Sequence, residues 1–162
     1  MGHGITVVGS LNADLVVSVR RFPTPGETVT GQGFAVFSGG KGANQAFGAA
    51  RLAAGQLPVR MVGRVGNDAY GGWLRQNLHA AGVDVGHVVP LPEAPTGLAL
   101  IAIDPSGQNQ IVVVPGANGE FAPAALSEAH HAVAGAAVVM LQLEIPLPTV
   151  QTAARVARES GG

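Results

Sequence analysis

Three short apolar runs constrain this chain most: Ile5–Val8, Val59–Val62 and Val138–Leu143. Each is mostly apolar and too short for a helix, which is the pattern of a buried strand. Helical stretches lie between and after them. Just past Gly40, Ala43, Ala46, Phe47 and Ala50 fall on one helix face, with Ala54 a turn further on. Asn67-Asp68 precedes a second helix over Tyr70–Ala81, with Gly82 at the place of a left-handed cap. Pro123–Ala134 and Pro148–Glu159 read as two more, the first with proline in its first turn. Strands alternating with helices predict a parallel α/β sheet.

The runs Leu15–Val19, Thr28–Phe37, Leu98–Ile103 and Gln110–Val114 predict a separate antiparallel patch. Its last two runs form a hairpin around Asp104-Pro105-Ser106-Gly107. A crossover helix returns the chain to its sheet, so the helix after the run at 138 predicts a further strand. The chain therefore reads as incomplete at its C-terminal side.

Composition excludes several function classes. Charged residues are 12% and hydrophobic residues 47%, and the nine basic residues are scattered in a chain of net charge −1. There is no basic stripe for nucleic acid and no basic helix for a membrane surface. The absence of cysteine removes disulfides, zinc knuckles and thiol nucleophiles. The longest apolar run, Ala132–Leu141, is too short to cross a bilayer, which takes about 20 residues. A soluble, cytoplasmic protein is expected. His3, His79, His87, His130 and His131 show no metal-ligand spacing, and Ser10 and Ser38 have no partner that would make either a nucleophile.

Three constellations carry candidate chemistry. The first is Ser38-Gly-Gly-Lys-Gly-Ala-Asn44 at a helix start. It is not a Walker phosphate loop: Ala35 stands where that motif needs glycine, and Gly42 where it needs serine or threonine. The dinucleotide pattern fails too, because Gly31-Gln-Gly33 is followed by Phe, Ala and Val. What the stretch offers is a mixture of donors and acceptors from backbone, Lys41 and Asn44, which suits a polyhydroxy ligand. The bland alternative is a glycine N-cap beside an exposed lysine.

The second constellation is Gly9–Asp14, at the carboxyl end of the first strand, where open α/β sheets bind ligands. Asn12 and Asp14 share a face if the segment is extended and together fit vicinal hydroxyls. An Asx turn is the alternative. The third is Glu144, just past the strand at 138, which either meets a ligand or caps the following helix. Val62–Gly71 reads as structural, with Asp68 capping its helix.

The ordered set G-S-x-N-x-D, F-P-x-P-G-E-T, G-G-K-G-A-N-Q-A and L-Q-L-E-x-P, spanning Ile5 to about Arg158, resembles the ribokinase-like (PfkB) family of carbohydrate kinases. The resemblance implies a three-layer α/β/α fold with a small β lid, of which residues 1–162 are the N-terminal, sugar-binding part. The lid strands come from about 14–37 and 97–115. It implies ATP-dependent phosphorylation of a sugar, D-ribose at its 5-hydroxyl first. Another sugar or nucleoside kinase, and a non-catalytic sugar-binding or dimerisation fragment, remain open alternatives.

The resemblance also implies a sugar site of Asn12, Asp14, Gly40, Lys41, Gly42, Asn44 and Glu144, lid contacts from Ile111 and Val113, and a homodimer paired through the lids. ATP, Mg2+ and a monovalent cation would belong to the family's C-terminal half. So would the catalytic Asp, carried in a G-A-G-D-type motif that this sequence lacks. The chain by itself is therefore expected to be inactive.

Overall fold

The computed structural model describes residues 3–160. Strands β1 (Ile5–Val8), β4 (Val59–Gly66), β5 (Val83–Leu91) and β8 (Val138–Leu141) form one sheet in the order β5-β4-β1-β8. Every pairing in it is parallel. Successive side chains of a strand point to opposite faces, so Val7 and Val8, both fully buried, feed two different cores. One core packs β1 and β4 under helices α1 (Lys41–Ala53) and α2 (Ala69–Ala80), through Ala46, Ala50, Leu74 and Leu78. The other holds Phe121, Leu126 and Val133, with Val150 and Ala153 of α4 (Leu147–Glu159). Helices on both faces make the three-layer α/β/α arrangement. Burying each of these valines is worth about 1.5–3 kcal/mol.

The second sheet takes β2 (Asn12–Ser18), β3 (Gly33–Gly39), β6 (Gly97–Ile103) and β7 (Asn109–Val114), in the order β3-β2-β6-β7. Its two hairpin partners are antiparallel, but β2 and β6 run parallel. The patch is thus mixed rather than wholly antiparallel. Both central strands leave the parallel sheet, from the ends of β1 and β5, and head the same way.

Other boundaries also differ from expectation. β5 forms where the sequence predicts no strand. The stretch from Pro123 is a 3-10 segment to Ala129 followed by the short helix α3 (His130–Ala134). Phe47 lies on the rim of the α1 face, nearly half exposed, while Ala43, Ala46 and Ala50 are buried.

Two polar anchors tie the layers together. Asp68 caps α2 by accepting from Gly71 N at 2.8 Å, as expected, and also accepts from Thr96 N (2.8 Å) and Thr96 Oγ1 (2.6 Å) at the foot of β6. Arg64, a buried cation, donates to Glu128 Oε2 at 3.1 Å and stacks on Phe121, with 4.9 Å from its guanidinium carbon to the ring centre. No helix among the described residues is long and apolar enough to cross a membrane.

Candidate functional site

The carboxyl ends of β1 and β8, the N-terminus of α1 and the first residues of β2 converge on one place. Gly40, the residue before α1, has φ 89°, a conformation that glycine adopts without penalty. Its missing side chain lets the loop lie against the turn after β1: a Cβ here would come within 2.8 Å of Ser10 O and Asn12 N. A Cβ on Gly42 would come within 2.6 Å of Ser10 N. These glycines therefore serve packing of α1 on the β1–β2 turn.

Glu144 occupies the helix N-terminus. Its Oε2 accepts from Lys41 N at 3.0 Å and from Ser10 Oγ at 2.8 Å, and its Oε1 pairs with Lys41 Nζ. Burial pushes the Glu144 carboxyl upward. The Lys41 and Ser10 hydrogen bonds outweigh that and hold it below the ordinary glutamate range. So Glu144 caps α1, which precedes it in sequence, and not α4, which has no side-chain cap.

A carboxylate on the first N–H and the lysine is what a phosphate would otherwise provide. Among the described residues no group of three or more His, Cys, Asp or Glu could hold a metal. The residues of this site therefore do not fit a nucleotide triphosphate or its Mg2+.

Beside them Glu144 lines a cavity of about 390 Å3, together with Asn12, Val113, Asn118, Leu143 and Pro146. That is within the usual range for small-molecule sites, about 300–1,000 Å3. Sheet register explains part of the lining. Asp14 pairs with Phe37 and Ala99, and Ala99 with Val113, in one row across the sheet. Ile111 lies two rows further on, opposite Ile101 and hence on the same face. Asn12, Asp14, Ile111 and Val113 thus share a face. Burial, and then repulsion from Glu144, push the Asp14 carboxyl above its ordinary range.

The structure brings Asn12, Asp14, Gly40, Lys41, Gly42, Glu144 and Val113 to this region. It places Ile111 further out along the second sheet, half exposed. Asn44 is exposed on α1 and lines a separate groove with Gln45, Leu52 and Met140. Two site residues escaped sequence reasoning. Ser10 holds Glu144, and Asn118 hydrogen-bonds to Leu11 and Asn12. Both contacts bridge residues more than a hundred positions apart, and no spacing rule reports them.

Comparison with known proteins identifies the family. The model of the pfkB family of carbohydrate kinases matches residues 3–162, and the chain belongs to that family. Ribokinase of Haemophilus influenzae is 38% identical over 99% of this chain and 52% of its own length. Ribokinase of Bacillus subtilis is 44% identical over 91% of this chain and 49% of its own. Among solved structures, Arabidopsis thaliana ribokinase complexed with ribose and ATP superposes with a TM-score of 0.88 at 35% identity, covering 99% of this chain and 52% of that one. Ribokinase of Thermotoga maritima gives a TM-score of 0.86 at 37% identity, covering 94% of this chain and 49% of that one. The chain spans about half the length of the curated relatives it matches.

Proposed function

We propose that this chain is the sugar-binding part of a ribokinase, in which ATP phosphorylates the 5-hydroxyl of D-ribose. The observation that carries the reading is the cavity lined by Asn12 and Glu144, with Asp14 near enough to feel the Glu144 charge, in a chain whose curated relatives are ribokinases. Asp14 accepts from ribose hydroxyls and Asn12 donates to them. Gly40 and Gly42 bring the backbone of α1 close, and Lys41 and Glu144 supply one donor and one acceptor at the rim. Asn44 joins from the start of α1 only if ribose extends past Lys41.

The second sheet, about 14–37 and 97–115, acts as a lid whose Val113 and Ile111 face the sugar. Residues 1–162 serve as one sugar-binding unit, located in the cytoplasm. These residues bind and orient the sugar and supply no base for its hydroxyl. ATP, Mg2+ and any monovalent cation are held elsewhere than at this site.

The opposite lid face exposes Phe34, Leu100, Val112 and Val114. Apolar patches of this kind mark association surfaces, and a homodimer paired lid to lid covers them.

Hydrogen bonds net about 0.5–1.5 kcal/mol each, against an association cost of roughly 4–15 kcal/mol. Ribose binding by this chain is therefore expected near the millimolar range, about −4 kcal/mol. Titration of the isotopically labelled chain with D-ribose, D-xylose, D-glucose and adenosine, read by NMR shifts, tests this. Saturable shifts at Asn12 and Asp14, strongest with ribose, are expected. Preference for adenosine or a hexose would replace the ribose assignment, and no saturable binding by any of the four would remove the sugar site.

A further inference from the structure

Asn118 is 1% exposed and sits under the cavity, at the end of a 3-10 turn, Gly116–Asn118. Its carboxamide orientation follows from groups whose chemistry admits one reading. Leu11 N–H can only donate, so the Asn118 atom 3.0 Å from it is Oδ1. Leu11 C=O can only accept, so the atom 2.9 Å from it is Nδ2. That same Nδ2 lies 2.8 Å from the Asn12 side chain, which must answer with its oxygen. Both Nδ2 protons of Asn118 are then used, Asn12 Oδ1 is held toward Asn118, and the donors Asn12 has for the cavity it lines are its own Nδ2 protons.

Gly97 belongs to the same device. A Cβ there would come within 2.3 Å of both Asn118 Nδ2 and Asn12 Oδ1, so any larger residue evicts the amide pair.

We propose that Asn118 is a positioning residue that fixes Asn12 as a hydrogen-bond donor toward the ligand, giving the sugar pocket a set polarity. The inference rests on the sugar-site reading above. Asp14, two residues on along the same face, is acceptor-only when ionised. A hydroxyl between the two accepts from Asn12 and donates to Asp14. An ether or carbonyl oxygen in that place satisfies Asn12 alone and leaves the carboxylate unmatched. Asn118 itself never touches the sugar.

The test combines variants with a measurement on the unaltered chain. Asn118→Asp keeps the size and the acceptor for Leu11 N–H but removes both donors, so Asn12 turns its own amide toward residue 118 and its oxygen toward the cavity. D-ribose affinity is expected to fall by about tenfold in Asn118→Asp and in Asn12→Ala, and the double variant is expected to stay within about twofold of Asn12→Ala. In the unaltered chain, the side-chain amide protons of Asn118 are expected to exchange slowly and to shift little with ribose, whereas those of Asn12 exchange fast and shift. Unchanged affinity in Asn118→Asp, with loss in Asn12→Ala, overturns the positioning role and leaves the sugar site standing. Unchanged affinity in Asn12→Ala removes both. If Asn118→Asp does not fold, the amide spectrum decides: Asn12 protons as protected as those of Asn118, or Asn118 signals that follow ribose, overturn the proposal.

Discussion

Glu144 and Asp14 are two carboxylates of one site with opposite electrostatic histories. The folded Glu144 carboxyl sits below its ordinary value of 4.5. Its contribution to stability is therefore fully present above that value and is lost as pH falls through the lower folded value. The folded Asp14 carboxyl sits above its ordinary 3.8, so ionising it costs stability, and the cost is complete only above the raised folded value. Glu144→Gln is expected to destabilise the chain by about 1–2 kcal/mol at neutral pH, since it removes the ion pair with a largely exposed lysine and weakens two hydrogen bonds. Thermal melts of both proteins between pH 7 and pH 3 check this. The gap should narrow as pH drops below 4.5, and a gap that widens there would contradict the assignment. Asp14→Asn, by the same reasoning, is expected to melt no lower than the parent at neutral pH while losing ribose affinity.

At the scale of elements, α1 ends with strain that glycine would remove. Ala54, its C-terminal cap, has φ 48°, and it is the only non-glycine residue with positive φ among the described residues. The left-handed conformation costs an L-residue about 1–2 kcal/mol, part of which a glycine repays through unfolded-chain entropy. Ala54→Gly is therefore expected to raise unfolding stability by about 0.5–1 kcal/mol in urea titration, and a loss of stability would show that the Ala54 methyl packs usefully.

The same scale shows what was legible in the sequence. Strands β1, β4 and β8 are legible because each holds a short, mostly apolar run. β8 is an edge strand like β5, so what hides β5 is its composition. Its run Val83–Leu91 is broken by Asp84, Gly86, His87 and Pro90, and edges tolerate such residues. β3 was placed too early because Thr28–Val29-Thr30 has strand-like residues, but Gly31 and Gly33 delay pairing until Gly33. The parallel course of β2 and β6 was not readable at all, since side-chain alternation carries no direction. Within the site, Asn12, Asp14, Lys41 and Glu144 are legible because each lies at or just past the end of an apolar run or at a helix start. Asn118 could not, because a polar residue in a Pro-Gly-Ala-Asn turn looks like any other turn.

For the molecule as a whole, the second sheet is the feature out of proportion to a folded monomer. Phe34 is 67% exposed and Val112 62% exposed, on the face turned away from Asp14. The lid-to-lid dimer proposed above would bury both. Val112→Lys is expected to convert the dimer to monomer in sedimentation equilibrium, with ribose affinity per chain little changed, because Val112 faces away from Val113 and the cavity. A parent chain already monomeric at high concentration would reject the dimer.

β1 is flanked by β4 and β8, whose pairing begins at residue 59 on one side and residue 138 on the other. Synthesis proceeds from one end at roughly 5–20 residues per second. β1 therefore receives its second neighbour long after its own synthesis, an interval on the order of ten seconds. Through that interval Val8 and Val62 wait without Phe121, Val133 and Val150, which complete their side of the sheet. A newly made chain thus spends its first moments with one wall of its interior built and the other still to be translated.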